Sequence, residues 1–324
     1  MNGAEREKTK RLPLIVIGGP TASGKSELAV ELCLRLDGSV ISADSMQVYR
    51  GMDIGSAKVT AQEMRGVPHA LIDIADPEDD WNVFLFQKKA SDAIADAHRA
   101  GRLPFVTGGT GFYIRALLYG TQFTETQTDT AYREACYEKA KTPEGLADLY
   151  RALEACDPVS AETIHPNNVK RVVRALEYFR QTGQRISEHN GEERARPPVY
   201  DHLYFALTMD REELYRRIDL RVDRMVQEGL VAEVERLLAA GVPRTAVSMQ
   251  GLGYKETAAY LAGECTLAEA LQKIKTGTRH FAKRQITWLK QEKDVIWIDR
   301  GAYAGTEEIA DDLCGRIRAH YKTI

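Results

Sequence analysis

The sequence predicts an α/β protein in which a parallel sheet carries helices on both faces and an all-helical segment is inserted. Three observations support this prediction. Short apolar strands alternate with amphipathic helices up to about residue 121, and a glycine-rich loop separates the first strand from the first helix. Residues 128–188 show helical periodicity and no convincing strand. We therefore expect an α/β core formed by residues 1–121 and 198–324, and a helical insertion at residues 122–197.

The apolar run from Leu12 to Ile17 is short, continuous and β-branched, which predicts a buried strand. From Glu27 to Leu36 the apolar residues recur at helical spacing, and Asp37 with Gly38 ends that helix. The same criteria predict the remaining core elements, which are strands at 40–43, 103–107, 202–209 and 295–299 and a helix at 86–99.

Three segments of the insertion have clear helical periodicity. They are AYREACYEKAK (131–141), GLADLYRALEAC (145–156) and NVKRVVRALEYFRQTG (168–183). The polar stretch NGEERARPP (190–198) closes on two prolines, and we interpret it as the linker that returns the chain to the core.

Composition and charge argue against a membrane-spanning protein, a zinc site built on paired cysteines and a strongly basic nucleic-acid-binding protein. Apolar residues make up 44% and charged residues 28% of the chain, as in an ordinary globular protein. The net charge of −3 gives no global signature of nucleic-acid binding, so such a partner would be held by local basic patches. The five cysteines form no C-x-x-C pair, and no apolar run reaches the length of a membrane span. We expect a cytoplasmic protein.

The stretch GGPTASGKSE (18–27) contains the pattern G-x-x-x-x-G-K-[ST] at Gly19, Gly24, Lys25 and Ser26. Backbone N–H groups of such a loop converge on an anion, and the following helix adds the positive end of its dipole. Lys25 is expected to reach the terminal phosphates and the Ser26 hydroxyl to bind magnesium. The loop residues are Gly19, Pro20, Thr21, Ala22, Ser23 and Gly24. The pattern predicts a phosphorylated ligand without saying whether the phosphate is transferred, hydrolysed or expelled.

An ATP-hydrolysing enzyme usually adds a strand that ends in a magnesium-binding Asp. The candidate strands here end at Asp73 and Asp299, and neither has a neighbour that completes such a site. The core strand LPFVT ends in Thr107 and two glycines instead of an acid. This argues against routine ATP hydrolysis.

Asp44 lies at the carboxyl end of the second strand, where doubly wound sheets bind their ligands. It can serve as a general base, a metal ligand or an acceptor for an amine, or it can simply cap a turn. Thr110 follows Gly108 and Gly109 at the same edge, where the glycines permit close backbone approach. A glycine turn before a helix is the alternative for this second segment.

Arg217, Arg221 and Arg224 recur on one face of a predicted helix, and this row can close over an anion. The alternative is a solvated face in which Glu213 and Asp219 pair with the arginines.

Residues 270–293 hold seven Lys or Arg residues against the single Glu292. Arg279 and Lys283 share a helical face there, which suits RNA phosphates, although a basic helix alone is usually a solvated face. We expect Trp288 to pack in the core rather than stack on a base. In the insertion, Lys170 and Arg174 lie four residues apart with Arg171 beside them, which also suits phosphates.

Six motifs in order resemble the tRNA dimethylallyltransferase (tRNA isopentenyltransferase) family over about residues 12–300. They are GPTASGKS, DSMQVYRGMDIGSAK, GGTGFYIRAL, HPNNVKRVVRALE, GLGYKE and TRHFAKRQITWLK. The resemblance implies a P-loop NTPase-like, kinase-like core that is used for prenyl transfer. Dimethylallyl diphosphate would be the donor, and the acceptor would be the exocyclic amine of the adenosine immediately 3′ of the tRNA anticodon. Ser56 stands where the family more often has Thr, a conservative difference.

On this resemblance the loop holds a diphosphate that leaves, with Lys25 and magnesium on Ser26 stabilising its charge. Asp44 would accept the proton of the amine, Thr110 would assist at the reacting centre, and Arg217 and Arg221 would bind diphosphate. The expected tRNA contacts are Asp44, Ser45, Met46, Gln47, Thr110, Arg133, Lys170, Arg171, Val172, Val173, Arg174, Arg279, Lys283 and Arg284. A monomer suffices, since one asymmetric RNA arm needs one cleft.

Three other functions share parts of this pattern. An enzyme that prenylates free adenine nucleotides shares the loop and the Asp, but has less need of a helical insertion or a basic helix. A P-loop small-molecule kinase would use ATP as phosphoryl donor. A non-catalytic RNA-binding protein would have no need of an intact Lys25, Ser26 and Asp44.

Overall fold

The computed structural model describes residues 11–123 and 129–322. These residues separate into two compact units, one of residues 11–118 with 199–322 and one of the described residues between 119 and 198. The second unit thus begins three residues before the predicted insertion and ends one residue after it. No helix in the described ranges is long and apolar enough to cross a bilayer.

The first part of the chain alternates strands and helices as the sequence predicts. Its elements are β1 (Pro13–Gly18), α1 (Lys25–Leu36), β2 (Gly38–Ser42), α2 (Ala61–Met64), β3 (His69–Ala70), α3 (Val83–Arg99), β4 (Leu103–Thr107) and α4 (Gly111–Tyr119). The glycine at 38 follows an Asp37 that caps α1 in the left-handed conformation, with φ at 47°, so the helix ends where predicted. The two-residue strand β3 is too short to leave a sequence signal.

In the described residues of the second unit, every secondary-structure element is a helix. Its helices are α5 (Thr130–Lys139), α6 (Pro143–Cys156), α7 (Pro158–Thr163), α8 (Val169–Thr182) and α9 (Ile186–Ala195). The three predicted helical segments are confirmed as α5, α6 and α8. The linker interpretation of residues 190–198 is wrong up to residue 195, because Glu, Arg and Ala favour helix and only the two prolines stop it.

The third part of the chain returns to the first unit. It contains β5 (Asp201–Thr208), α10 (Arg211–Gln227), α11 (Leu230–Ala239), α12 (Tyr254–Leu261), α13 (Leu267–Leu289), β6 (Val295–Asp299) and α14 (Thr306–His320), with short 3₁₀ turns at Ser248–Gln250 and Arg300–Ala302. The predicted strands at 202–209 and 295–299 are therefore confirmed.

The six strands form one parallel sheet in the order β3-β2-β4-β1-β5-β6. Ile15 and Ile17 of the central strand β1 point to a core shared with α1 and α14. Leu14 and Val16 are equally buried and face the opposite side, because side chains alternate along a strand. The α/β class is confirmed, and the order brings the carboxyl ends of β1, β2 and β4 together.

Candidate active site

The loop between β1 and α1 depends on a backbone that few residues can adopt. Gly19, Ala22 and Gly24 have positive φ angles of 147°, 63° and 84°. A Cβ on Gly24 would lie 2.2 Å from Nη1 of Arg300, so the close approach of that guanidinium also requires glycine. The pattern G-x-x-x-x-G-K-[ST] therefore marks a loop whose shape its glycines permit.

Two side chains outside the predicted site residues, Gln285 and Arg300, hold this loop. Gln285 of α13, 6% exposed, accepts a hydrogen bond from Thr21 N at 2.8 Å and donates to Gly109 O at 2.9 Å. Arg300 donates to Ser23 O at 3.1 Å. Gln285 lies in the segment KRQITW. The only feature of the sequence that sets it apart is an uncharged amide side chain directly after two basic residues.

A polar cavity of about 430 Å³ opens beside the loop. Among the described residues, the cationic side chains that line it are Lys25, Arg217, Arg221 and Arg224. The carboxylates of the same part of the chain that line it are Glu27, Asp44 and Glu63. Thr21, Ala22, Gly24 and Ser26 contribute to its wall, whereas Gly19, Pro20 and Ser23 do not. Ser23 is fully buried instead, and the Pro20 carbonyl accepts a hydrogen bond from Lys25 Nζ at 3.3 Å.

Lys25 and Arg221 are cations without a carboxylate partner within salt-bridge distance in the described ranges. Burial lowers the pKa of Lys25 to about 8, an effect that the charge of Asp44 opposes and that of Arg221 reinforces. Burial also lowers the pKa of Arg221, whose Nη1 donates to Thr21 Oγ1 at 3.3 Å. Two partly desolvated cations in one cavity favour a bound anion, because it restores the interactions that burial removed.

The solvated-face alternative for the arginine row is wrong. Glu213 accepts two hydrogen bonds of 2.8 Å from Arg216, and Asp219 pairs with Arg279 of α13. The two acids are thus occupied elsewhere, and Arg217 and Arg221 face the polar cavity.

Asp44 both caps a turn and faces the cavity, so the two interpretations of this residue are compatible. Its Oδ1 accepts hydrogen bonds from Met46 N at 2.9 Å and from Gln47 N at 3.4 Å. Its Oδ2 accepts none from the described residues. The turn fixes the carboxylate while leaving one oxygen available for chemistry.

A second, more apolar cavity of about 440 Å³ adjoins the first, and the sequence alone did not identify its walls. Its walls include Met46, Trp81, Tyr113, Ile218, Val222 and Phe281. The exposed Arg284 lies on its lining, together with Lys255. Thr21, Asp44, Ser56 and Arg221 line both cavities, so Asp44 lies where a polar and an apolar compartment meet.

The remaining predicted residues of this edge divide between the two cavities. Ser45, Met46 and Thr110 line the apolar cavity, and Thr110 Oγ1 lies 3.5 Å from Ser45 Oγ. Gln47 lines the polar cavity instead, with its Nε2 donating to Ala57 O at 3.1 Å.

The predicted strand-end acids are engaged outside the cavities. Asp73 pairs with Lys58, and Asp299 accepts a hydrogen bond from Gly301 N at 3.0 Å. Neither lines the polar cavity, in agreement with the weak signal for a magnesium-binding strand end.

In the helical unit two predicted contact residues prove to be structural. Val172 and Val173 are 1% and 0% exposed and pack in the core of that unit. Their prediction as tRNA contacts is wrong, because both side chains lie on the inward face of the helix and are closed off by the core of the unit. Lys170, Arg171 and Arg174 of the same helix are exposed.

Arg133 and Arg174 converge on Glu177, which is fully buried. Arg133 forms two hydrogen bonds with Glu177, at 2.9 and 2.7 Å, and Arg174 adds a third at 3.1 Å. One edge of the Arg133 guanidinium is therefore occupied by its hydrogen bonds to Glu177. A role for Arg133 in RNA binding stays a prediction.

Along α13 the basic residues have different surroundings. Arg279 pairs with Asp219, with Nε and Oδ1 at 3.0 Å, whereas Lys283 and Arg284 are exposed. Trp288 packs against Gly111, where a Cβ would lie 2.2 Å from the indole Cδ1. The prediction that Trp288 is a packing residue is confirmed.

Two family models match the chain. The IPP transferase model matches residues 47–292, and the isopentenyl transferase model matches residues 12–76. Together they include both cavities and the glycine-rich loop.

Curated relatives and solved structures agree with these models. The tRNA dimethylallyltransferase of Lachnoclostridium phytofermentans is 51% identical to this chain, and the match covers 93% of this chain and 96% of the relative. The tRNA dimethylallyltransferase of Bacillus cytotoxicus is 47% identical, and the match covers 96% of this chain and 98% of the relative. A tRNA isopentenylpyrophosphate transferase from Bacillus halodurans is 42% identical with a TM-score of 0.70, covering 96% of this chain and 98% of its own. A eukaryotic dimethylallyltransferase acting on tRNA is 30% identical with a TM-score of 0.78, over 94% and 80%. This chain, with its phosphate loop and paired cavities, belongs to the tRNA dimethylallyltransferase family.

Proposed function

We propose that this enzyme transfers the dimethylallyl group of dimethylallyl diphosphate to the N6 amine of the adenosine 3′ to the anticodon of tRNA, and releases diphosphate. One observation carries the proposal: Asp44 lies at the junction of a cationic cavity and an apolar cavity. A diphosphate fits the first compartment by charge, and a prenyl chain with a nucleobase fits the second by polarity. The family to which the chain belongs performs this class of transfer on tRNA.

In the reaction, the bond between the primary allylic carbon and the diphosphate oxygen breaks as the bond from N6 to that carbon forms. The bond electrons remain on the leaving oxygen, where negative charge accumulates. Lys25 and Arg221 would stabilise that charge, and the Thr21 hydroxyl, which accepts a hydrogen bond from Arg221, can donate a hydrogen bond to the same oxygen.

The amine becomes a cation as the new bond forms and must lose a proton. Asp44 is the acceptor in this proposal, through the oxygen that its turn leaves available. The neutral secondary amine and a protonated Asp44 result, and the proton then passes to solvent. Thr110 lines the apolar cavity, where it would contact the base rather than the diphosphate.

Magnesium fits the polar cavity as a partner of the diphosphate. The Ser26 hydroxyl faces the cavity and forms no hydrogen bond with the described residues. Those residues include no group of three His, Cys, Asp or Glu side chains arranged around a metal site. We therefore propose that Ser26 and the diphosphate oxygens hold the ion, as the Ser or Thr hydroxyl of a P-loop does with the phosphates of its ligand. Bound there, it would add positive charge against the leaving group.

The acceptor base must leave its stack to enter the apolar cavity. Arg284 on the cavity lining and the neighbouring Lys283 are exposed and suit the phosphates that flank a base turned out of its stack. In the helical unit the exposed Lys170, Arg171 and Arg174 suit the phosphates of the anticodon arm. We propose that the enzyme acts as a monomer, since one RNA arm needs only one binding cleft. We also propose that it acts in the cytoplasm.

A label-transfer assay tests the proposal. Radiolabelled dimethylallyl diphosphate is incubated with the enzyme and magnesium, together with unmodified tRNA, AMP or ATP in separate reactions. We expect label on tRNA alone, and digestion should place it on N6 of the adenosine beside the anticodon. Label on AMP would instead indicate prenylation of free nucleotides. ATP turnover without label would indicate a kinase, and no turnover would indicate a binding protein.

A further inference from the structure

A buried carboxylate outside both cavities connects two motifs that the reaction leaves unexplained. Glu233 of α11 is 3% exposed and accepts four hydrogen bonds. Three come from consecutive backbone N–H groups, of Asp53 at 2.9 Å, Ile54 at 2.8 Å and Gly55 at 3.0 Å. The fourth comes from the Tyr254 hydroxyl at 2.8 Å.

These donors replace a counter-cation. None of the Lys or Arg residues in the described ranges forms a salt bridge with Glu233, and a buried charge is tolerated only when such groups compensate it. Three successive N–H groups aimed at one anion form a concave arrangement that binds negative charge. Burial and the nearby charge of Glu233 raise the pKa of Tyr254, so its phenol stays protonated and donates.

The segment held by Glu233 forms part of the site. Gly55, Ser56 and Ala57 line the apolar cavity, and Ala57 O accepts the hydrogen bond from Gln47. The ring of Tyr254 packs so closely on the segment that a Cβ on Gly55 would lie 2.6 Å from its Cζ. Glu233 therefore contacts, through Gly55 N, a residue that forms the wall of the cavity.

The motif that contains Tyr254 forms another part of the same wall. Gly251 and Leu252 line the apolar cavity, and a Cβ on Gly251 would lie 2.5 Å from Met46 Cε, two residues from Asp44. Glu233 thus joins the GMDIGSAK segment to the GLGYKE segment, and both segments border the space beside Asp44.

We propose that Glu233 is a positioning residue for the transfer reaction. With Tyr254 it fixes the 53–57 segment, and through this wall it sets where the acceptor base stands relative to Asp44. The inference rests on the proposed function, because it assumes that the base occupies the apolar cavity. Glu233 lines neither cavity, and its four hydrogen bonds go to residues outside the phosphate loop.

The test uses the variants Glu233→Gln and Tyr254→Phe. In Glu233→Gln the new NH₂ group would face N–H donors, so the segment would lose part of its anchor. We expect kcat to fall about 10- to 100-fold, since displacements near 1 Å have effects of this size. Affinity for inorganic diphosphate should change by no more than about threefold, because Glu233 forms no hydrogen bond with the phosphate loop, Lys25 or Arg221, and Ser56 is the one residue of the 53–57 segment that also lines the polar cavity. Tyr254→Phe keeps the three N–H bonds, and we expect a fall in kcat of about threefold.

Asp157→Asn is the matched control. Asp157 is 0% exposed in the helical unit and also accepts four hydrogen bonds, from the backbone and hydroxyl groups of Ser160 and Ser187. Both carboxylate variants should lower Tm, but only Glu233→Gln should lower kcat at saturating tRNA. A wild-type kcat in Glu233→Gln, or losses that follow Tm in both variants, would overturn the inference.

Two outcomes keep this inference separate from the proposed function. If Glu233→Gln does not fold, Tyr254→Phe decides: a reduced kcat with unchanged diphosphate affinity supports the positioning role, and a wild-type kcat refutes it. Absence of label transfer by the wild-type enzyme in the same assay would reject the proposed function itself.

Discussion

Asp44→Asn is expected to reduce the rate of transfer about 10²- to 10⁴-fold, the usual contribution of a positioned proton acceptor. Asparagine keeps a side-chain oxygen that can accept from Met46 N and Gln47 N, so the turn should survive. The substitution removes only the negative charge and the basic oxygen. Single-turnover transfer at saturating donor and tRNA measures the effect, and binding of both substrates should stay within about tenfold.

Glu63→Gln is the control for Asp44→Asn. Glu63 also lines the polar cavity, and its carboxylate caps α2 by accepting from Thr60 N at 2.8 Å, which glutamine can still do. We expect this variant to transfer within about threefold of the wild-type rate, since it leaves the proton acceptor in place. A near-normal transfer rate in Asp44→Asn, or an equal fall of the transfer rate in both variants, would show that Asp44 is not the proton acceptor.

Lys25→Met is expected to lower kcat about 10²- to 10³-fold, because it removes a preorganised charge from the leaving group. The wild-type enzyme should also show a pH dependence that the variant lacks. Burial lowers the pKa of Lys25 to about 8. The protonated amine is the form that attracts an anion, so affinity for diphosphate should decline as the pH rises through about 8.

Titration calorimetry with inorganic diphosphate between about pH 6.5 and 9.5 checks this prediction across the pKa. The ratio of wild-type to Lys25→Met affinity cancels the titration of the ligand itself. The ratio should be largest below pH 8 and should fall above it. Lys25→Arg keeps its charge throughout this range, so its affinity relative to Lys25→Met should not fall there. A constant wild-type ratio would show that the charge of Lys25 does not contribute to binding.

The parts of the fold that the sequence predicted are those with a local physical cause. The strand at 103–107 is continuous and apolar, and it is observed as Leu103–Thr107 because both of its faces are buried. The glycine-rich loop was predictable because Gly19 and Gly24, the two glycines of the motif, take positive φ angles that favour glycine. Asp44 was found because parallel strands end at a common edge.

What the sequence did not predict depends on residues that are distant along the chain. The apolar cavity joins Met46, Ile218 and Phe281, which share no local pattern. Gln285 and Glu233 are single polar residues in helices, and only their burial against backbone donors reveals a role. For Val172 and Val173, basic neighbours suggested RNA contact while the helical period turned the valines inward.

The central claim is that the two compartments hold the two substrates and meet at Asp44. A structure of the enzyme with a slow-reacting analogue of the donor and an anticodon stem-loop tests it most directly. We predict the diphosphate on Lys25 and Arg221, and N6 of the extruded adenosine about 3 Å from the available oxygen of Asp44. An allylic carbon directed away from Asp44, or a base bound outside the apolar cavity, would contradict the account.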